Sequence, residues 1–426
     1  MKIFGDDGFR DKVGSGLLSN KFLNSFFYAL NFFLAKQKIK EIIIGFDTRT
    51  SHGKIIRIIT KKIFAVKKIY VLEKPISTPG LQYLSKKKNL FGIMITASHF
   101  SNAFNGFKFF NKGLKLSKEN EKYITKKIKD NKSFLYRKKT IKVVKLKAHL
   151  YYNYINKLLK FSFKKKIIVD CSNGSVSAFY KKIKFLSKLK PINTKTFGNK
   201  ININCGSNSL SKNLKKKPYK NFEYCIAFDG DADRVLISKK KYGIIEPEKL
   251  ALIFIIYFIK RKSFKSIVAT EISNPWLKIQ AKKFNIKVLY SKVGDRNVVQ
   301  KKIKHNSLFG FETSGHFCFQ NFMDGLLTAG LFIKIQNSNP EIIENVLQKK
   351  VNYLKKVYAA PILFENKIRR FLNVKNIKKI KVIIRKSIWN NFIKIYLFYK
   401  KGNSQKEFFI IKKFLRNKIL KIKVKN

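Results

Sequence analysis

The acidic segment DGDADR contains the residues whose spacing most clearly suggests chemistry. It places Asp229, Asp231 and Asp233 at alternate positions directly after the apolar run YCIAF. Carboxylates converging from one loop suit a hard cation such as Mg²⁺, which prefers oxygen ligands. An EF-hand is excluded because its sixth and twelfth positions require Gly and Glu, where this chain has Arg234 and Lys240. The segment predicts a metal site, and a solvated acidic turn is the plainer alternative.

A serine and a histidine follow a second apolar run. Ser98 and His99 lie in ITASH, directly after FGIM. Neighbouring residues on a strand point to opposite faces, and the chain has no G-x-S-x-G elbow, so acyl transfer is disfavoured. A hydroxyl combined with a metal and several cations is instead the set of groups that phosphoryl transfer requires.

A third polar cluster, ETSGH, follows the apolar run SLFGF. Ligand sites in open parallel sheets lie outside the carboxyl ends of the strands. The three clusters are therefore expected to face one cleft.

The elements that must position these clusters alternate between helices and strands. Apolar residues recur at helical spacing from Leu23 to Leu34, after the possible capping residues Ser19 and Asn20. The strands EIIIGFD, IYVLEK and FGIMITASH alternate with further helical patterns. This order predicts an α/β fold with a mainly parallel sheet covered by helices.

The length of 426 residues exceeds what one hydrophobic core usually organises. We predict three related α/β units with mixed, mainly parallel sheets and a smaller α+β C-terminal domain. Their predicted boundaries are 1–140, 141–238, 239–349 and 350–426.

The formal net charge of +69 suggests a nucleic-acid or membrane partner only weakly. The cations are mostly Lys, run the whole length and accompany many Ile, Asn and Phe residues, all of which have A/T-rich codons. A selected binding face would be a local patch containing Arg. We therefore attribute the charge to compositional drift and expect no specific nucleic acid and no membrane as partner.

The cellular compartment is predicted from cysteines and apolar runs. The cysteines are far apart and form no C-x-x-C pair, so neither a zinc site nor a disulfide framework is indicated: Cys171, Cys205, Cys225 and Cys318. Asp6 and Asp7 interrupt the place where a signal peptide needs an apolar run. The longest apolar run, 250–259, is about half a membrane span. These features predict a cytoplasmic protein.

An ordered series of motifs resembles the alpha-D-phosphohexomutases over nearly the full length. The series reads FGDDGFRDKVG, GFDTR, ITASHFSNAFNGFKFF, IVDCSNG, NCGS, FDGDADR, SN, VGDR, ETSGH, MDGLLTAG and RKS. The resemblance implies four domains around a central cleft. It also implies transfer of a phosphoryl group between carbons 6 and 1 of a hexose phosphate, and the chain is most similar to the branch that acts on amino sugars.

The resemblance carries a role over to each matching residue. Ser98 matches the serine phosphorylated in the resting enzyme, and the phosphoserine completes a Mg²⁺ site with the three aspartates. Arg10 and Lys108 match cations near the transferring phosphate, and Lys108 matches the candidate general base. The remaining matches are implied to contact the substrate, and His316 is implied to assist proton transfer as well. These matches are Arg234, Glu312, Ser314, His316, Arg385 and Ser387. Arg296 is either structural or a phosphate ligand.

The resemblance also implies one Mg²⁺ per chain, a hexosamine 1,6-bisphosphate activator, a sugar phosphate substrate, and a monomer or homodimer. Two loops depart from the family pattern. Phe100 and Ser101 replace the usual Asn-Pro after the Ser-His pair, which predicts a less rigid loop. Residues 388–391 lack the usual Gly-Thr-Glu-Pro, which predicts a weakened phosphate clamp. Activity on glucose or mannose phosphates, or a degenerate binding protein, are the alternatives.

Overall fold

Four β-sheets organise the parts of the chain that the computed structural model describes, which are residues 3–129, 141–159, 166–374, 379–386, 392–400 and 404–416. Each sheet corresponds to one stretch of sequence. Three carry both parallel and antiparallel strand pairs, and the last is wholly antiparallel. The predicted α/β class with a different, smaller C-terminal unit is confirmed.

The first sheet consists of the strands β1 (Phe9–Lys12), β2 (Glu41–Phe46), β3 (Lys68–Leu72), β4 (Phe91–Ile95), β5 (Phe104–Asn111), β6 (Leu114–Lys115) and β7 (Lys142–Leu146). Their order in the sheet is β1-β5-β4-β2-β3-β7, with β6 beside β5. The strands β2, β3, β4 and β7 are parallel, whereas β5 runs antiparallel to β4 and β1. The helices are α1 (Asn20–Lys36), α2 (His52–Lys62), α3 (Thr78–Lys87) and α4 (Lys118–Lys129), and α5 (His149–Leu158) follows β7.

Helix α1 shows how local sequence determines an element. The hydroxyl of Ser19 accepts a hydrogen bond from the amide of Phe22, which satisfies one of the free donors at the helix start. The apolar residues at helical spacing, including Leu23 and Leu34, are buried against the sheet. The predicted capped amphipathic helix is confirmed.

The second sheet consists of the strands β8 (Ile167–Asp170), β9 (Lys190–Ile192), β10 (Tyr224–Phe228), β11 (Val235–Lys239) and β12 (Gly243–Ile244). Their order is β12-β11-β10-β8-β9, and β10, β8 and β9 are parallel. Its short helices are α6 (Ser175–Phe179), α7 (Lys184–Ser187) and α8 (Leu210–Asn213). The five residues of β10 are all buried, as expected for a strand covered on both faces.

The third sheet consists of the strands β13 (Ser266–Thr270), β14 (Lys287–Ser291), β15 (Gly310–Phe311) and β16 (Phe317–Cys318). Their order is β14-β13-β15-β16. Its helices are α9 (Pro247–Ile259), α10 (Trp276–Lys282), α11 (Asp295–Lys304), α12 (Gly325–Ser338) and α13 (Pro340–Gln348). The fourth sheet, β17-β19-β18, consists of β17 (Tyr353–Pro361), β18 (Lys381–Lys386) and β19 (Phe392–Lys400), with α14 (Glu365–Val374) and α15 (Gln405–Arg416).

The first three units share one continuous apolar cluster, which contains Met94, Ile226 and Phe254. The fourth unit has a separate core around Ile395 and Leu397. Among the described helices, none combines the length and the apolar character needed to cross a bilayer.

Two predicted boundaries differ from the sheets. The strand β7 pairs with β3, so the first sheet continues past the boundary at residue 140. The strand β12 pairs with β11, so the second sheet continues past residue 238. An apolar alternation identifies a strand but does not show which sheet it joins, because pairing partners are distant in sequence.

Candidate active site

Ser98 lies in the loop that follows β4, and its side chain is turned toward the second unit. The residue is only 4 % exposed. Its hydroxyl donates to Asp229 Oδ2 at 2.7 Å, which joins two of the predicted clusters directly. Its φ of +50° is in the left-handed region, which is uncommon for a residue other than glycine.

The acidic loop follows β10 and is buried. Ligand oxygens of Asp229, Asp231 and Asp233 all lie within 4.8 Å of one another. Burial and the two neighbouring carboxylates raise the pKa of Asp229 to about 7. Asp231 Oδ1 is buried and has no hydrogen-bond partner among the described residues. Three crowded carboxylates with an unsatisfied oxygen fit a divalent cation, so these residues could hold a metal ion.

Lys108 extends from β5 into the same acidic cluster. Its Nζ lies 2.7 Å from Asp231 Oδ2, 2.7 Å from Asp233 Oδ2 and 2.6 Å from Asp7 Oδ2. Burial favours the neutral amine, but these carboxylates outweigh it and raise the pKa of Lys108 well above its ordinary value. A lysine acts as a general base only while its amine is neutral, and the carboxylates around Lys108 favour the charged form in this arrangement.

Arg234 ends the acidic motif and reaches Ser98. Its Nε lies 3.0 Å from Asp229 Oδ2, and its Nη2 donates to Ser98 Oγ at 3.1 Å and to His99 Nδ1 at 2.6 Å. Burial together with the charges of Arg234 and Arg10 lowers the pKa of His99 to about 2. His99 is therefore a neutral acceptor, and Arg234 is fixed beside the hydroxyl.

The ETSGH loop connects β15 to β16 and contacts the acidic loop. His316 Nδ1 lies 2.7 Å from Ser314 Oγ, and its Nε2 lies 3.1 Å from Asp233 Oδ1. Glu312 Oε1 accepts from the amide of Gly294 at 2.8 Å, which orients this carboxylate. The loop thus supplies a carboxylate, a hydroxyl and an imidazole beside the acidic cluster.

The fourth unit contributes cations from the opposite side. Arg385, on β18, donates to Asp6 Oδ2 at 3.1 Å. Lys394, on β19, is the strand partner of Arg385. The predicted phosphate ligand Ser387 and the altered loop 388–391 lie outside the described residues.

Two further predicted cations have different surroundings. The guanidinium carbon of Arg10 lies 4.8 Å from the ring centroid of Phe100. Arg296 is buried and donates to both carboxylate oxygens of Glu121, one of them at 3.1 Å. Because both Nη groups of Arg296 are taken up by this buried bidentate pair, the structure favours the structural role for Arg296.

These groups line a cavity of about 430 Å³ between the units. Its lining residues are Asp6, Asp7, Arg10, Ser98, His99, Asp233, Arg234, Val293, Gly294, Asp295, Glu312, Ser314, His316, Arg385, Lys386 and Lys394. The predicted clusters after three strands therefore do meet in one cleft. Mixed cations and acids around a space of this size suit a polar, anionic small molecule.

Sequence reasoning did not single out Asp7, Arg49 or Asn202. Asp7 is an ion-pair partner of Lys108, and Arg49 and Asn202 both donate to the carbonyl oxygen of Ser98. All three lie in or beside the recognised motifs, at FGDDGFR, at GFDTR and just before NCGS. Their positions in those motifs are the signal that could have identified them.

Comparison with known proteins extends these observations. The family model "Phosphoglucomutase/phosphomannomutase, alpha/beta/alpha domain I" matches residues 1–134, and the corresponding domain III model matches residues 246–353. A phosphoglucosamine mutase of Dictyoglomus turgidum is 30% identical over 96% of this chain and 95% of its own length. A phosphoglucosamine mutase of Caldicellulosiruptor saccharolyticus is 31% identical over 93% and 94%.

Solved structures agree in fold. A phosphoglucomutase/phosphomannomutase family protein of Burkholderia thailandensis matches with a TM-score of 0.80, at 19% identity and 97% coverage of both chains. An Aspergillus fumigatus N-acetylphosphoglucosamine mutase, solved with GlcNAc-6P and magnesium, matches with a TM-score of 0.66, at 15% identity and 98% and 96% coverage. With full-length relatives at this identity, the chain belongs to the phosphoglucomutase/phosphomannomutase family of phosphohexomutases.

Proposed function

We propose that this chain interconverts glucosamine 6-phosphate and glucosamine 1-phosphate through a phosphorylated Ser98 and a 1,6-bisphosphate intermediate. The observation that most directly supports this proposal is the position of Ser98 Oγ. This oxygen lies 2.7 Å from Asp229 Oδ2 and 3.1 Å from Arg234 Nη2, beside the cavity. The curated relatives named phosphoglucosamine mutase support the amino sugar as substrate. The net reaction is an isomerisation, which leaves the phosphate on a different carbon of the sugar and returns the enzyme to its phosphorylated form.

In the first half-reaction, the free hydroxyl oxygen of the sugar phosphate attacks the phosphorus carried by Ser98. The bond between phosphorus and Ser98 Oγ breaks, and its electron pair remains on Oγ. Arg234 donates to that oxygen and so stabilises the charge that develops there. The substrate's hydroxyl proton must pass to a base, a role that the resemblance gives to Lys108 with assistance from His316. Lys108 can accept a proton only when neutral, which requires that the charge of Asp231 and Asp233 beside it be offset, as a cation bound to them would do.

Before the second half-reaction, the bisphosphate reorients within the cavity so that its other phosphate faces Ser98. Ser98 Oγ attacks the phosphorus at the other end of the sugar, the sugar oxygen leaves with the electron pair, and it takes up a proton. Holding the intermediate between the two steps requires contacts on both sides of the cavity, which the loop of Glu312 and the strand of Arg385 provide.

We assign Mg²⁺ to Asp229, Asp231, Asp233 and the phosphoserine. The crowded carboxylates and the unpartnered Asp231 Oδ1 support this assignment. When bound, Mg²⁺ would offset charge on the transferring phosphoryl group. The relative from Aspergillus fumigatus that was solved with magnesium and a sugar phosphate supports both ligands.

The remaining features of the proposal rest on the family resemblance and on the composition. We propose a cytoplasmic enzyme that supplies amino-sugar nucleotides for cell-wall synthesis, works as a monomer or homodimer, and uses a hexosamine 1,6-bisphosphate as activator. We expect its high positive charge to give only salt-sensitive, sequence-independent attraction to nucleic acid.

The test is a steady-state assay of the purified protein with glucosamine, glucose and mannose 6-phosphates, each with Mg²⁺ and a trace of the matching 1,6-bisphosphate. We expect the largest kcat/KM with glucosamine 6-phosphate. A larger value with glucose or mannose would support a phosphoglucomutase or phosphomannomutase instead. Absence of turnover with every sugar, in a folded protein, would support a binding protein without catalysis.

A further inference from the structure

The backbone around Ser98 is held by a buried arginine from outside its loop. Arg49 is 0 % exposed and donates from Nη2 to the carbonyl oxygens of Ser98 at 2.9 Å and Phe100 at 2.8 Å. Its Nη1 donates to the carbonyl oxygens of Ser101 and, at 3.1 Å, Phe104. One guanidinium thus binds three main-chain acceptors of the loop that carries Ser98 and a fourth at the first residue of β5.

The same network also holds the amide side of Ser98. Asp47 Oδ2 accepts from Arg49 Nε at 3.0 Å and from the hydroxyl of Thr96 at 2.6 Å. The hydroxyl oxygen of Thr96 accepts in turn from the amide of Ser98 at 2.9 Å. Asp47 therefore fixes the guanidinium and the hydroxyl that bind the two peptide groups flanking the Ser98 side chain.

A second donor reaches the loop from the second unit. Asn202 Nδ2 donates to the carbonyl oxygen of Ser98 at 2.8 Å and to that of Phe100 at 2.9 Å, the same two oxygens that Arg49 Nη2 binds. Gly230 permits this approach, because a Cβ there would lie 2.5 Å from the Ser98 oxygen and 2.8 Å from Asn202 Nδ2. The contact links the loop to the unit that carries Asp229.

We propose that Arg49 and Asn202 are positioning residues that hold Ser98 in its left-handed conformation with its hydroxyl directed at Asp229 and Arg234. A non-glycine residue at φ +50° is held against an intrinsic cost, which the converging donors offset. The inference rests on the proposed function, because it names what aligns the phosphoryl carrier.

The test combines kinetics with a measurement that does not need turnover. The variants are Asn202→Ala and Arg49→Lys, which keeps a charge beside Asp47 but loses the fork of donors. The control is Thr50→Val, because Thr50 contacts the same loop only at its exposed end, through Asn102. Amide hydrogen exchange of residues 96–104 is followed by mass spectrometry in each protein.

We expect kcat to fall roughly tenfold in Asn202→Ala and roughly a hundredfold in Arg49→Lys, since small misplacement of a reacting group has effects of this size. KM should stay within about twofold, because the cavity wall opposite Ser98 is unchanged. Exchange of the loop should accelerate in both variants and not in Thr50→Val. The double variant should lose less than the product of the single losses, because both donors bind the same oxygens.

Unchanged kcat and unchanged exchange in Asn202→Ala would overturn the proposal, even if Arg49→Lys fails to fold. A change in KM alone, or an equal loss in Thr50→Val, would also overturn it. If the wild-type protein turns over none of the sugar phosphates, the proposed function fails while hydrogen exchange still tests the positioning of Ser98.

Discussion

The hydroxyl of Ser98 lies 2.7 Å from Asp229 Oδ2, although 131 positions separate the two residues in the chain. The contact joins the loop after β4 of the first sheet to the loop after β10 of the second. A hydroxyl that ends beside three carboxylates and an arginine is placed to carry a phosphoryl group next to a cation.

Ser98→Ala should lower kcat by at least about a thousandfold, because the phosphoryl group is carried covalently on the hydroxyl oxygen that this substitution removes. The free energy of unfolding should fall by no more than about 2 kcal/mol, since the hydrogen bonds of Ser98 Oγ with Asp229 and Arg234 are lost while Asp229 keeps its ion pair with Arg234. Steady-state kinetics and thermal unfolding measure the two effects. Intact-mass analysis after incubation with a 1,6-bisphosphate should show a phosphoryl adduct in the wild type and none in the variant. Substantial residual turnover would contradict the phosphoserine assignment.

Asp231→Asn should weaken metal binding and activity together. The substitution keeps the shape of the side chain but removes one anionic ligand, and its Oδ1 is the oxygen without a partner among the described residues. We expect the Mg²⁺ concentration for half-maximal activity to rise about tenfold or more. Calorimetric titration with Mg²⁺ provides a measurement independent of turnover. Asp324→Asn is the matched control, a buried aspartate outside the acidic loop. Identical Mg²⁺ dependence in Asp231→Asn and wild type would indicate an acidic turn.

Much of this site could be predicted because its reactive groups have distinctive types and follow apolar strands. Ser98, Asp231 and Glu312 were identified in this way, and the sheet geometry that brings strand ends together was enough to predict one cleft. Arg49 was missed because, apart from Asp47, its partners are main-chain oxygens, which leave no pattern in residue types. The raised pKa of Lys108 was missed because it depends on carboxylates such as Asp7 that lie far away in sequence.

Phe100→Leu should loosen Arg10 and weaken substrate binding. The Phe100 ring lies 4.8 Å from the Arg10 guanidinium carbon, which lines the cavity. A cation–π contact of about 0.5–1 kcal/mol corresponds to a rise in KM of roughly two- to fivefold. Phe100→Trp should retain the wild-type KM because it keeps an aromatic face. Phe104→Leu is the control, since Phe104 contacts the Phe100 ring but is not part of the cation–π pair. Equal KM values in Phe100→Leu and wild type would show that the ring does not orient Arg10.

Asp324→Asn should flatten the pH dependence of stability. Burial raises the pKa of Asp324 from 3.8 to about 6. The folded carboxyl therefore holds its proton to higher pH than the unfolded one, so the contribution of Asp324 to the free energy of unfolding decreases as pH rises from about 4 to about 6. The asparagine can still accept from the amide of Leu327 and does not titrate.

The full difference across that window is on the order of 3 kcal/mol, since each pKa unit corresponds to about 1.4 kcal/mol. Urea unfolding at intervals between pH 4 and pH 8 measures it. Glu73→Gln, at an exposed carboxylate, serves as the control and should keep the wild-type profile. Parallel profiles for Asp324→Asn and wild type would show that this carboxyl does not govern the pH dependence.

Installing the family's usual Gly-Thr-Glu-Pro at positions 388–391 should strengthen binding of the substrate phosphate that is not being transferred. The four substitutions are Ile388→Gly, Trp389→Thr, Asn390→Glu and Asn391→Pro, after Arg385 on β18. Remote binding energy supports affinity and turnover, and the surplus positive charge of this chain does not reproduce the directed hydrogen bonds of backbone amides and a hydroxyl. We expect KM to fall several-fold and less bisphosphate to escape per turnover, measured by steady-state kinetics and by chromatography of the released sugar phosphates. Arg385→Lys in the same background should reverse the gain, because it removes the bidentate donor. If neither KM nor escape changes in a folded variant, the native 388–391 segment already binds phosphate adequately.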